Sequence, residues 1–348
     1  MLKKIFVTLL ITGLLLLAIA AWIFFLPGTN IQNRSRFLYV YTGKNNKPAV
    51  MKTIEDSSFV KYPEAFSWLA DKSKVWGKIR PGKYELKKSM SLFELARMLR
   101  NNQQKPVDLV ITKLRTKEQF AGLVGRKFET DSSEMLNYMT GDKVKQFDLD
   151  SNTVMSAIFP DTYTYNWTAS PGTIFEKLNN QYKKIWNEDR KAKANALGIT
   201  PTQAYILASI IEEETNVQDD KPMMASVYLN RLKKGIRLGA DPTVKFALKN
   251  FELRRIYEKH LLTDSPYNTY RYAGLPPGPI CTPSLKTLDA VLNAPNTNYL
   301  YFVANSDFSQ RHVFTETYSE HLKYARLYQD ALNKLQRQRD SSNVESGF

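Results

Sequence analysis

Ile206-Leu-Ala-Ser-Ile-Ile-Glu-Glu-Glu-Thr215, preceded by Pro201 and Thr202, decides how the larger part of the chain is read. Proline at a first helical position, with a small polar residue beside it, makes a sound helix start. With Ile206 at zero and roughly 100° per residue, Ile206, Leu207, Ile210 and Ile211 centre near 70°. Glu214 then falls at about 80°, Glu213 at about 340° and Glu212 at about 240°. Only Glu214 is expected to continue the apolar stripe. A carboxylate there must be paired, protonated or functional, because desolvation raises its pKa. An acid still protonated near neutral pH can donate a proton and, once ionised, take one back. The geometry leaves open a structural carboxylate that pairs with arginine or caps a turn. Glu212 and Glu214 point to nearly opposite sides, so they are not a two-carboxylate pair, and a second carboxylate comes from elsewhere or is not needed.

Outward from this helix the patterns mix α and β, and the expected fold class is α+β. Helices are expected at 132–139, 173–185, 202–214, 223–232, 285–292 and 319–336, with strands at 107–112, 299–304 and 312–315. Upstream, 37–41 alternates as a strand, 65–70 reads as a short helix before a strand at Trp76, and Pro81-Gly82 is a turn between two short strands. Ser91, with Glu94 three positions on, reads as a capping box opening a helix with Leu92, Leu95, Met98 and Leu99 on one side. No internal repeat is present. The expected divisions are a small α+β module over 37–112, a larger α+β catalytic domain over 113–336 and a disordered polar tail over 337–348.

Ile5 to Leu26 is a 22-residue run without a charge, preceded by Lys3 and Lys4. That length crosses a hydrocarbon core of roughly 30 Å. Ala18-Ile-Ala20 offers a signal-peptide alternative, but the apolar run continues beyond it through Trp22 to Leu26. The two lysines keep residues 1–4 in the cytoplasm and send the more than 300 residues after the span outside. Residues 27–36, rich in Asn, Gly, Ser and Arg, read as a tether.

Hydrophobic residues at 43% and charged residues at 24% give globular composition and argue against a disordered or fibrous chain. The net charge of +15 calls for an anionic partner or merely a solvated basic surface. The topology argues against nucleic acid and leaves phospholipid head groups and cell-wall polymers. One cysteine, Cys281, excludes an internal disulfide, and three histidines argue against a histidine-rich metal site. HExxH, Walker A, Gly-rich dinucleotide and G-x-S-x-G patterns are absent. Ser58 to Lys61 fits S-x-x-K without its companion motifs and reads as chance.

Ala208-Ser-Ile-Ile-Glu-Glu-Glu-Thr215, Ala225-Ser-Val-Tyr-Leu-Asn-Arg-Leu232, Asp241-Pro-Thr-Val244, Pro266-Tyr-Asn-Thr-Tyr270 and Gly274-Leu-Pro-Pro-Gly278 together resemble the YceG-like family. Phe159-Pro-Asp-Thr-Tyr163 before them and Tyr299 to Ala304, His312, Phe314 and His321 after them continue the match in order. Gly77 to Asn102 is similar to the family's LysM-like portion, a kind of module that binds N-acetylated glycans, although a plain packing module fits equally. The resemblance implies a lytic transglycosylase acting inside peptidoglycan glycan strands from the outer face of the bacterial inner membrane, without metal or organic cofactor. The second acid of the family's E-x-E-T pattern, the catalytic one, maps onto Glu214. It would protonate the oxygen between N-acetylmuramic acid and N-acetylglucosamine, then help the muramic 6-hydroxyl close a 1,6-anhydro ring. One carboxylate then suffices, unlike the usual two. Asp241, Asn268, Thr269 and Tyr270 lie in turn-rich segments whose polar side chains and ring suit sugar hydroxyl and acetamido groups or, equally, plain loop structure, and the resemblance favours Asp241 and Asn268 among them; Asp161 and His312 are the further candidate substrate contacts. Asp241 before Pro242 can equally make an Asx-turn, and His312 and His321 can be core histidines. Glu213 stands where the family commonly has lysine, and Cys281 where it often has a small residue. The implied partners are glycan strands, the membrane and peptidoglycan synthases. The competing reading is a non-catalytic wall-binding scaffold; a hydrolase using water would share the acid and leave a reducing end.

Overall fold

The computed structural model describes residues 2–32 and 34–345. The chain forms two compact units: Met1–Leu109 with Leu123–Ser132 and Tyr163–Pro171, and Val110–Gly122 with Ser133–Thr162 and Gly172–Phe348. Helices and two-stranded pairs alternate, so the fold class is α+β as expected.

The first unit opens with α1 (Leu2–Phe25), the apolar run read above; it is long and apolar enough to cross a membrane. β1 (Arg36–Val40), α2 (Lys47–Asp56), α3 (Pro63–Lys72), β2 (Gly82–Leu86) and α4 (Leu92–Arg100) follow. β1 and β2 pair antiparallel, with Leu38 opposite Tyr84, and period-2 alternation sends both side chains into one core with Ile54, Phe66, Leu92 and Leu95. The Ser91 capping box is formed in both directions, as its spacing predicts.

Local expectations fail where a segment is tied by hydrogen bonds to residues outside it. Trp76 to Lys78 form a turn and Ile79 and Arg80 no regular element, instead of strands, and the Trp76 indole donates to Asp71 at 2.7 Å. The expected tether is hydrogen-bonded into the module: Gly28 and Thr29 donate to the Met90 carbonyl, Asn30 donates to Phe59, and Lys61 donates to Gly28. Asn33 lies outside the described residues. Turn-forming residues here make short bridges, Pro27 to Ser91 and Thr29 to Val60, because Ile31 anchors the segment in the core.

Next come β3 (Val107–Ile111), α5 (Lys117–Gly125), α6 (Ser132–Thr140) and β4 (Asp161–Tyr165), with β3 and β4 paired. The remaining elements are α7 (Pro171–Ile185), α8 (Glu188–Ala196), α9 (Pro201–Glu214), α10 (Lys221–Lys233), α11 (Asp241–Ala247), α12 (Glu258–Leu261), α13 (Leu285–Leu292), β5 (Tyr301–Ala304), β6 (His312–Thr315) and α14 (Tyr318–Glu345). α9 is the central element, packed against α10, α11 and α13. It begins with a Thr200–Gln203 capping box, and every residue from Ala204 to Ile211 is buried. β5 and β6 form an antiparallel pair, Phe302 opposite Phe314, and both rings pack on this core. α14 continues past Gln336 into the stretch expected to be disordered, because neither proline nor glycine intervenes before Gly347; residues 346–348 lie outside the described residues.

Candidate active site

Glu212, Glu213 and Glu214 close α9, and all three are partly buried. The expected stripe is therefore not what separates them: α9 is surrounded on every side, and the partners differ instead. Glu212 meets the buried Lys221 ammonium at 2.9 Å and accepts from Thr287 and Ser284. Burial alone would push its pKa up, but the hydrogen bonds from Thr287 and Lys221 prevail and hold it below the ordinary value. Glu213 pairs with Lys113 and Arg115, both at 3.0 Å. Glu214 alone of the three has no ion-pair partner among the described residues, and its Oε1 accepts only from the Tyr228 hydroxyl, at 2.7 Å.

The consequence is electrostatic. Burial raises the Glu214 pKa to about 7; the negative charge of Asp241 adds to the rise, while the Tyr228 hydrogen bond and the charges of Lys245 and Arg231 oppose it. A carboxyl group so poised holds its proton near neutrality yet ionises readily, which suits a general acid that must later act as base. The residue as a whole is half-buried.

Each neighbour is fixed by its own element. Tyr228 and Arg231 lie one turn apart on α10. Arg231 donates from Nε to the Leu300 carbonyl at 2.7 Å and from Nη1 to Leu238 at 2.6 Å, with its guanidinium over the Tyr301 ring. It is thus a stationary positive charge. Asp241, exposed at the first turn of α11, accepts from the Tyr270 hydroxyl at 2.6 Å. Burial first, and then the Asp241 hydrogen bond, push the Tyr270 hydroxyl well above its usual range. Gly239 has φ of +58° and its N–H donates to Thr269; a Cβ there would sit 3.6 Å from the Tyr270 ring. Glycine supplies that left-handed turn at no steric cost.

The structure thus brings Glu214, Asp241 and Tyr270 together. Asn268 and Thr269, expected to contact substrate, are buried and fully engaged. The Asn268 amide donates to the Leu261 and Thr263 carbonyls and accepts from Tyr270 N–H, while Thr269 joins Thr243 and Ala240. They hold the turn that presents Tyr270, because a loop buried this deeply must satisfy its backbone internally. Asp161 is exposed at the start of β4 and accepts from its neighbour Thr162. His312 belongs to another group: its N–H and Nδ1 both meet buried Asp220, at 2.8 Å each. His321 lies against Tyr301 and Tyr318, its pKa lowered chiefly by burial. Cys281 is buried and its thiol pushed up by desolvation.

Tyr228, Arg231 and Lys245 carry the electrostatics of the acid without having been singled out in sequence. The i, i+3 spacing of Tyr228 and Arg231 was the available signal. Hollows of about 450 Å³, lined by Lys87, Arg97 and Gln104 among others, and about 440 Å³, lined by Ile206, Leu229 and Pro276 among others, do not include Glu214. No group of three or more His, Cys, Asp and Glu is arranged to hold a metal among the described residues.

Comparison with known proteins adds independent findings. The YceG-like family profile matches residues 38–327. A Bacillus subtilis protein named endolytic murein transglycosylase is 37% identical over 184 residues, 51% of this chain and 48% of that protein. A Streptococcus pneumoniae protein of the same name is 26% identical over 296 residues, 75% of this chain and 53% of that one. The chain spans about half the length of these relatives. The crystal structure of a yceG-like protein from Listeria monocytogenes superposes with a TM-score of 0.54 at 26% identity, covering 83% of this chain and 98% of that one.

Proposed function

The chain belongs to the YceG-like family, and on that premise we propose that it is an endolytic murein transglycosylase with Glu214 as its acid and base. The observation that carries the reading is a half-buried carboxyl group with a pKa of about 7 and no ion-pair partner among the described residues, at the end of the core helix α9.

In the reaction the Glu214 proton passes to the oxygen linking N-acetylmuramic acid to N-acetylglucosamine. The muramic C1–O bond breaks, the N-acetylglucosamine hydroxyl departs, and positive charge develops at C1. The Glu214 carboxylate, held by the Tyr228 hydroxyl, takes the proton of the same sugar's 6-hydroxyl as O6 bonds to C1. The acid is regenerated, no water is consumed, and a 1,6-anhydro end remains. Asp241 and Tyr270 present polar atoms at the accessible side and would hold the sugar; Asn268 and Thr269 position them. We assign His312, clamped to Asp220, to bracing β6 against the start of α10, and keep exposed Asp161 as a more distant sugar contact.

α1 is read as a single-pass anchor in the bacterial inner membrane, with residues 1–4 cytoplasmic and the folded units outside. The β1-α2-α3-β2 arrangement supports a LysM-like, glycan-binding role for the module. A terminase of growing strands would work beside a peptidoglycan synthase.

One observation favours a second reading. Asp241 stands near enough for its charge to act on Glu214, so a second carboxylate is available, as a water-using hydrolase would need. Mass spectrometry of the released glycan ends tests both readings: anhydro ends support the transglycosylase, and reducing ends support the hydrolase.

A further inference from the structure

The anchor helix does not end in a flexible linker. The last turn of α1 enters the first unit's core: Ile23 and Phe24 pack against it, the Phe24 ring stacks on Trp68 at 5.5 Å, and the Phe25 ring meets Phe93 at 5.3 Å. The backbone then continues directly into the bridges from Pro27 to Ser91 and from Thr29 to Val60. The level at which α1 leaves the hydrocarbon therefore fixes the level of Trp68 and Phe93. Both remain largely exposed, at 54% and 40%, beside Tyr62 at 38%. Trp68 and Tyr62 lie on or next to α3, and Phe93 lies on α4. α1 itself is exposed over residues 3–19, with Leu17 at 68%. The apolar surface that lipid would cover on α1 thus runs without a break onto the module. Cations edge the patch: Lys72 sits over the Trp68 ring at 5.9 Å, Lys61 precedes Tyr62, and Lys88 stands two residues before Met90, whose carbonyl holds Gly28. Glu64 is the acidic group of the α3 first turn, and Glu94 is spent on the Ser91 cap.

We propose that the module is itself a membrane-surface element: Trp68, Tyr62 and Phe93 lie in the head-group region of the outer leaflet, with Lys61, Lys72 and Lys88 on anionic lipid. Amphipathic aromatic rings favour that layer, and lysines at the boundary keep long stems over apolar surface with their charges at the phosphates. The inference rests on α1 being a membrane anchor. It fixes the module at the bilayer, so that the enzyme meets strands where they emerge.

The full chain is reconstituted into phosphatidylcholine–phosphatidylglycerol vesicles carrying bromine high on the acyl chains. A Trp22→Phe background removes the anchor's own indole, and the Trp68 signal is the difference between this background and Trp22→Phe/Trp68→Phe. Phe93→Trp in the double variant supplies a second reporter. The proposal predicts that both reporters are quenched by bromolipid and shielded from aqueous iodide. Chains that float with the vesicles while both reporters are quenched by iodide and not by bromolipid overturn the proposal alone. Chains that do not float overturn the anchor reading and this proposal with it.

Discussion

The Tyr228 hydroxyl donates to Glu214 Oε1 at 2.7 Å, joining α10 to the acid at the end of α9 by one short contact. This bond favours the ionised carboxyl group and is the largest influence opposing burial. Tyr228→Phe is therefore expected to raise the Glu214 pKa above about 7 and move the alkaline limb of the rate profile upward. The carboxylate formed after proton donation loses its partner, so kcat should fall about 10-fold to 100-fold. A pH series of glycan release checks both effects.

Asp241→Asn should do the opposite to the profile. Its negative charge raises the Glu214 pKa, so removing it lets the carboxyl ionise at lower pH and shifts the alkaline limb downward. The same substitution weakens the Tyr270 bond, and KM for glycan should rise. Limbs moving in the same direction in the Tyr228 and Asp241 variants would contradict this electrostatic account.

Burying Glu214 costs stability when it is ionised. Its folded pKa of about 7 lies above the ordinary 4.5, so the folded state binds more protons between those values. Stability is fully present below pH 4.5 and is lost as pH rises through about 7. Glu214→Gln should therefore gain stability relative to wild type across that window, by no more than about 3 kcal/mol because the residue is only half-buried. Urea denaturation of both chains at pH 5 and pH 8, values that sit roughly on either side of the transition, measures the difference.

Much of this was legible in sequence, for identifiable reasons. The capping residues of α4, the proline that starts α9, the alternation in β1 and the apolar pattern of α13 are local signals that tertiary packing reinforced. Glu214 was reachable by its place on α9, but the stripe argument described a helix with one wet face, whereas α9 has none over Ala204–Ile211. The partners that distinguish the three glutamates, Lys221, Lys113, Arg115 and Tyr228, come from other elements and leave no periodicity beside Glu214. Asn268 and Thr269 look like ligand-facing loop residues in sequence; only the packing reveals that their hydrogen-bonding capacity is used internally. Residues 27–32 fail for the same reason, since a tether and an edge segment share their composition.

Glu212 has the opposite pH signature. Its depressed pKa makes its contribution present above the ordinary 4.5 and lost as pH falls through the folded value. Lys221→Met removes the buried cation at 2.9 Å and leaves the carboxylate uncompensated, with an expected cost of about 3 kcal/mol. Thermal unfolding near neutral pH should show a clear fall in Tm, smaller in the double variant Lys221→Met/Glu212→Gln. An unchanged Tm in Lys221→Met would mean that the pair is not structural.

The central claim is that Glu214 makes anhydro ends. Purified peptidoglycan is incubated with the full chain and with Glu214→Gln, and the products are weighed by mass spectrometry. The account predicts 1,6-anhydro fragments from wild type and a rate about 100-fold to 10,000-fold lower from the variant. Reducing ends from wild type, or anhydro ends at an undiminished rate from Glu214→Gln, would contradict it.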